Sequence, residues 1–244
     1  MTIPSEVKKV LAELKKAGFE AYIVGGCVRD FLCSADPKDW DVTTNAKPEE
    51  IQKIFPESFY ENNFLTVTVR TGSKKQNAEE IEVTTYRLEA DYSDRRHPDA
   101  VQVAPSLAED LARRDFTINA MAINLKGLKK EVIDPFSGQK DLKAKTIRTV
   151  GNPEERFSED ALRILRAIRF STTLNFVIEE ETKKAIVKNA KWMEKISQER
   201  IRDEFVKMIM SDRAAEGIEL MRELGVLPYV LPELEASYGV TQNK

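Results

Sequence analysis

The run Val24-Gly25-Gly26-Cys27-Val28-Arg29-Asp30, with Asp39-Trp40-Asp41 shortly after it, constrains this chain more than any other feature. Tyr22, Ile23 and Val24 read as a buried strand, and the glycine pair as the tight turn that follows. Glycines let a backbone approach an anion closely, and the N–H groups opening the next helix point toward it. Arg29, one turn into that helix, adds a guanidinium suited to phosphate oxygens. Asp39 and Asp41, one residue apart on a second strand, present both carboxylates to the same side. Two like charges that close are unfavourable unless a cation lies between them. The pair of motifs implies a Mg²⁺-dependent site for a nucleoside triphosphate. A lone Gly-Gly is most often only a turn and a lone Asp-x-Asp a solvated edge; in this order and spacing the two are far more specific.

Composition excludes several classes. The chain has 244 residues, 32% of them charged, with a formal net charge of −3. No apolar run reaches the ~18 residues of a membrane span. Met1-Thr2-Ile3-Pro4 lacks the basic-then-apolar layout of a signal peptide, so a cytoplasmic location is expected. Cys27 and Cys33, with His97 as the single histidine, do not make a zinc site. Cys27 reads as a small packing residue beside the turn. Net acidity does not exclude a nucleic-acid partner, because distribution matters more than the sum. Lys183-Lys184, Lys188, Lys191 and Lys195 read as solvated helix faces.

An α/β head followed by a helical region is expected. Apolar Val7, Val10, Leu11 and Leu14 predict a helix over 5–17, and strand-like runs fall at 21–24, 40–44, 65–69, 81–86 and 121–125. Lys47-Pro48-Glu49-Glu50 starts a short helix, and 72–77 reads as a hairpin connection. The polar stretch 89–105 is long enough to be functional or disordered. After Asp134-Pro135-Phe136 strand signals vanish, and amphipathic helices are predicted at 158–170, 179–190, 197–211 and 213–224. Gly217 marks a weak point and Gly225 a C-cap. The expected division is 1–148, 149–211 and 212–244. The last residues close no helix pair, so the chain is expected to be cut from a longer one.

Glu82, on a strand with Glu80, is the third acidic candidate: two metal ions need a ligand beyond the aspartate pair. An exposed strand residue is the equal alternative. Arg113-Arg114-Asp115 is expected to open a helix, with Asp115 near its N-terminus. The ordinary reading is a cap with two surface arginines; the functional one pairs Asp115 with a ribose hydroxyl and Arg114 with phosphate. Further on, Ser158 reads as the N-cap of a helix whose core stripe is Ala161, Ile164, Leu165 and Ile168. Asp160 and Arg163 share its other side, as an exposed ion pair or as a recognition pair. A carboxylate accepts from the exocyclic amine of cytosine or adenine while a guanidinium donates to the adjacent ring nitrogen. Uracil and guanine leave both groups mismatched, which a buried site penalises strongly.

These motifs resemble the class II tRNA nucleotidyltransferase and bacterial poly(A) polymerase group of the polymerase-β-like superfamily. The resemblance rests on Val24-Gly25-Gly26 through Asp30, Asp39-x-Asp41, Arg113-Arg114-Asp115-Phe116-Thr117-Ile118-Asn119, Glu159-Asp160-x-x-Arg163 and Glu199-Arg200-Ile201-x-x-Glu204. It implies a head with a five-stranded mixed sheet, a helical neck that selects the base, and the start of a helical body. It implies Mg²⁺ on Asp39 and Asp41 in a two-metal site, with Glu82 as a further catalytic carboxylate. Gly25, Gly26, Arg29, Arg114, Asp115, Asn119, Asp160, Arg163, Arg166 and Arg169 then serve the nucleotide, and the motif from Glu199 to Glu204 braces the selecting helix. The implied reaction adds C, C and A to a tRNA 3′ end from CTP and ATP, releasing pyrophosphate. Addition of the terminal A alone is the alternative, ahead of a poly(A) polymerase or a non-catalytic nucleotide- or RNA-binding module. Residues 89–98 resemble a loop that levers the selecting helix. The chain departs from the family at Leu65-Thr66, where relatives carry Gly-Thr.

Overall fold

The structure, a computed structural model, describes residues 2–61, 65–90, 100–127 and 129–240. They fall into two compact units, one within Met1–Ala90 and Ala100–Leu142, the other within Lys143–Lys244. The change of unit thus comes a few residues before the expected boundary at 148.

In the first unit, helix α1 (Ser5–Lys16) buries Val7, Val10, Leu11 and Leu14, the apolar stripe of the sequence. Strand β1 (Ala21–Val24) runs through Gly25 into α2 (Gly26–Leu32), and β2 (Asp41–Thr44) follows. Pro48 begins α3 (Pro48–Ile54), whose Glu50 carboxylate accepts the Lys47 N–H at 2.8 Å. Strands β3 (Ser58–Glu61), β4 (Thr66–Arg70) and β5 (Glu80–Thr85) come next, with one turn of helix, α4 (Gln76–Glu79), in the β4–β5 connection. Strands β6 (Arg87–Ala90) and β7 (Ala100–Val103) form a separate antiparallel ribbon before α5 (Leu107–Ala112). Strands β8 (Ala122–Lys126) and β9 (Lys129–Ile133) and helix α6 (Gly138–Lys143) complete the unit's elements.

The main sheet runs β3-β4-β5-β2-β1-β8-β9. It is mixed, because β2 and β5 pair in parallel while the other neighbours are antiparallel. The five strands expected from sequence are β1, β2, β4, β5 and β8, but the sheet has seven. The two additions are its edges. Residues 129–133 are Lys-Lys-Glu-Val-Ile, mostly exposed, and β3 is a four-residue strand. Short, charged edges discourage further pairing and carry little hydrophobic alternation to detect.

Alternation along the central strands divides the sheet by chemistry. Ile23, Val42, Val67 and Val83 join α1, Cys27 and Val28 of α2, and Ile51 of α3 in the larger apolar cluster. On the other face Val24, Tyr86 and Ala122 pack with Leu107 and Leu111 of α5. Because successive side chains alternate, Asp41, Thr43, Thr66, Glu82 and Thr84 lie on the face opposite Val42, Val67 and Val83. That polar strip is where the candidate chemistry gathers.

The second unit holds β10 (Thr146–Ile147), α7 (Pro153–Glu159), α8 (Leu162–Leu174), β11 (Val177–Ile178) and α9 (Glu180–Asn189). A 3₁₀ stretch (Ala190–Lys195), α10 (Gln198–Ile209), α11 (Ala214–Glu223) and two single turns follow. Strand signals do not vanish after Phe136. Beyond β9, β10 and β11 make a two-residue parallel pairing too short for a periodicity to mark. The single helix expected over 158–170 is two, broken at Asp160, whose backbone is extended at φ −142° and ψ 105°. Ser158 therefore caps nothing: it lies inside α7, and its hydroxyl donates to the Glu155 carbonyl at 2.7 Å. Gly217 is not a weak point either. It is buried where α11 meets α8 and α10, and a Cβ there would lie 2.7 Å from Met208 Sδ and 2.9 Å from Thr172 Oγ1. The stretch 91–99, the core of the expected levering loop, lies outside the described residues, as do Asn63 and Phe64. Among the described residues no helix is long and apolar enough to cross a membrane.

Candidate active site

Gly25 adopts φ +82°, a backbone conformation that side chains disfavour. A Cβ there would also meet Arg114 Nη1 at 2.9 Å and Asp41 Oδ2 at 3.3 Å. Gly26 opens α2, and a Cβ on it would sit 3.5 Å from Arg29 Nη2. Cys27 is buried beneath the turn, its thiol donating to the Val24 carbonyl at 3.0 Å and pushed well up in pKa by burial, so it packs and does not react.

Asp41 is placed by ladder register, opposite Val24 on one side and Glu82 on the other. Asp39 is not on the strand as expected; it lies in the exposed bend that leads into β2. Burial, joined by the charges of Asp39 and Glu82, pushes the Asp41 carboxyl up to about 7, against the pull of Arg114. Asp41 therefore lies within the field of both other carboxylates. Glu82 itself is exposed, as the bland reading of it held, yet it lines a cavity of about 280 Å³ with Asp41, Thr66, Thr84, Arg87, Arg113 and Arg114. Among the described residues no three acidic, imidazole or thiol groups make a ready cation cage. Mg²⁺ commonly takes only one or two carboxylates together with substrate phosphates and water. The aspartate pair suits that mode, and the buried Arg114 Nε, which has no hydrogen-bond partner among the described residues, suits an incoming anion.

Arg113 and Arg114 close α5 instead of opening a helix, and Asp115 precedes only a 3₁₀ turn (Thr117–Asn119). The reason is local: Asp115 Oδ1 accepts the Phe116 N–H at 2.8 Å and Asn119 Nδ2 at 3.1 Å, which turns the chain at once. Asn119 Oδ1 in turn accepts Arg29 Nη1 at 2.7 Å, and Arg29 pairs with Asp30. Arg29 thus joins Asp115 and Asn119, which lie much later in the sequence, in one network. Sequence reasoning missed Asp110, which is fully buried beneath both arginines. Burial opposes its ionisation, but Arg113 and Arg114 outweigh that and hold its carboxyl below the usual range. Its signal was the spacing to Arg113 and Arg114 at i+3 and i+4, which looks like any helix ion pair.

In the second unit Asp160 caps α8, accepting the Leu162 N–H at 3.1 Å. Arg200 grips its carboxylate with both terminal nitrogens, at 2.7 and 3.3 Å. Arg163 is only 6% exposed, so a surface ion pair does not describe it. Its Nη1 donates to the Arg156 carbonyl at 3.1 Å and to the Glu159 carboxylate. Arg166 and Arg169 of α8 reach the buried Glu204 of α10 at 3.4 and 2.8 Å. Those two cations overcome burial and keep the Glu204 carboxyl low. Arg200 and Glu204 therefore hold α10 against Asp160 and α8, in the bracing position the resemblance implies. The lysines read as solvated faces include Lys184 and Lys188, which make exposed pairs with Glu181 and Glu154.

The family described as "Poly A polymerase head domain" matches residues 21–148, from β1 through β10. The chain belongs to this family. A second family, described as "Probable RNA and SrmB- binding site of polymerase A", matches residues 175–238. Among curated relatives of this poly(A) polymerase-type head, the CCA-adding enzyme of Lactobacillus helveticus is 48% identical over 212 residues, 86% of this chain and 51% of that one. The CCA-adding enzyme of Lactococcus lactis is 46% identical over 233 residues, 95% of this chain and 57% of that one. The Bacillus stearothermophilus CCA-adding enzyme in complex with CTP superposes with a TM-score of 0.83 at 37% identity, over 93% of this chain and 54% of that one. A tRNA nucleotidyltransferase complexed with a primer tRNA and an incoming ATP analog gives 0.75 at 33% identity, over 96% and 64%. The chain spans about half the length of the curated relatives it matches. The α/β head with its mixed sheet and the helical region after it are thus those of polymerase-β-like nucleotidyltransferases. Leu65, where the resemblance implies a glycine, adopts the left-handed conformation at φ +54°.

Proposed function

We propose that this chain carries the nucleotide-adding chemistry of a CCA-adding enzyme: attack of a tRNA 3′-hydroxyl on the α-phosphate of CTP or ATP, with release of pyrophosphate. The observation that carries this reading is the paired register of Asp41 and Glu82, beside Gly25 and Arg114, in a chain 48% identical to a CCA-adding enzyme. Asp39 and Asp41 would hold Mg²⁺, with Glu82 assisting; bound there, the metal lowers the barrier to attack by polarising phosphate and hydroxyl oxygens. Gly25, Gly26, Arg29 and Arg114 serve the triphosphate, and Asp115, oriented by Asn119, accepts from the ribose. No side-chain nucleophile is required, because positioning supplies much of the acceleration.

Asp160 and Arg163 read the edge of the incoming base, accepting from its amine and donating to its ring nitrogen, while Arg166 and Arg169 support the nucleotide. Their partners Arg200 and Glu159 support this reading, since each fixes one group of the recognition pair. The deciding experiment supplies tRNA lacking the whole CCA end, or only the final A, with CTP and ATP singly and together. Three-nucleotide extension of the first substrate is expected. Extension of the second alone would assign terminal A addition, and no extension of either would defeat the reading.

A further inference from the structure

We propose that Asp110 is the positioning residue for triphosphate-binding Arg114 and for Arg113 beside it, which line the same cavity; the inference rests on the function proposed above. Its Oδ1 accepts Arg113 Nε at 3.0 Å and Nη2 at 2.9 Å. Its Oδ2 lies 3.6 Å from Arg114 Nη2 and accepts the Thr43 hydroxyl at 3.3 Å. The Arg87 N–H, at the start of β6, approaches Oδ1 at 3.4 Å. One fully buried carboxylate is therefore tied to both arginines and to β2, the strand that carries Asp41.

The arrangement sets more than stability. Long arginine side chains sample many rotamers, and each one immobilised before binding spares that loss when the ligand arrives. Asp110 holds one terminal nitrogen of Arg114, and the other occupies the space that a Cβ on Gly25 would enter. Thr43 and Asp41 share a face of β2, so the tether to Thr43 places the arginines relative to that carboxylate.

The test compares Asp110→Asn with the unaltered chain. Calorimetry with inorganic tripolyphosphate in metal-free buffer reads the arginines directly and requires no transfer reaction. Its affinity is expected to fall about tenfold, the scale of a lost charge-assisted contact. KM for CTP and for ATP should rise by a similar factor, with kcat changing less than about threefold by the same reasoning, and discrimination against UTP unaltered. A variant that melts lower but binds tripolyphosphate as before would reduce Asp110 to a structural ion-pair partner and overturn the proposal. If Asp110→Asn does not fold, Thr43→Val removes one tether alone; about threefold weaker tripolyphosphate binding supports the proposal, and unchanged binding overturns it. An unaltered chain that binds tripolyphosphate but extends no tRNA would defeat the proposed function while leaving the role of Asp110 measurable.

Discussion

Asp41 stores electrostatic work. Its carboxyl titrates near 7 in the folded protein against an ordinary 3.8, so the folded state holds a proton that the unfolded chain releases between those values. Stability from this group is full below about pH 4 and is lost as pH rises through 7. Asp41→Asn should therefore stabilise the metal-free protein most above pH 7, by at most about 4 kcal/mol, and change nothing near pH 4. A pH-independent effect in thermal unfolding would contradict that assignment. Leu65 carries a different strain. Holding a leucine in the left-handed region costs about 1–2 kcal/mol, so Leu65→Gly is expected to stabilise by about 1 kcal/mol in urea titration. These residues were legible because their surroundings announce them: the aspartates are separated by a single residue, and Leu65 stands where the resemblance implies glycine. Asp110 was not, since a carboxylate near two arginines on a helix carries no mark of burial.

At the level of elements, periodicity identified α1 and the five inner strands because burial imposes a period on them. The outer strands and the β10–β11 pairing were missed because exposed or two-residue segments impose none. The break between α7 and α8 was also hidden, since the apolar stripe runs through it; only the side chain of Asp160, capping α8, ends one helix and starts the next. Packing of α11 depends on the missing side chain at Gly217. Gly217→Ala gains helix propensity of about 1 kcal/mol but forces Met208 and Thr172 aside, an overpacking that costs about 1–3 kcal/mol. Net destabilisation of about 1 kcal/mol is expected by calorimetry, and a gain in stability would show that α11 is free to shift.

For the whole molecule, the two units divide the work of recognition under the proposed function. Arg163→Ala should then relax selection against UTP and GTP by about 10–100-fold, the range set by leaving buried recognition groups unpaired. Tripolyphosphate binding, a property of the first unit, should stay as it was. Steady-state kinetics with each of the four nucleotides measures the first, and calorimetry the second; unchanged selectivity would remove Arg163 from base reading. The helices of the second unit were visible in sequence as amphipathic runs, and the first unit ends at Leu142.

The parallel pairing of β2 with β5 has a bearing on how such a chain tolerates change. Because Asp41 and Glu82 face each other through backbone hydrogen bonds, their spacing is indifferent to how much polypeptide loops out between them. Insertions or deletions in the β4–β5 connection are thus free to accumulate without touching the acidic wall. A shift of the ladder by one position would swing Glu82 to the apolar side and destroy it.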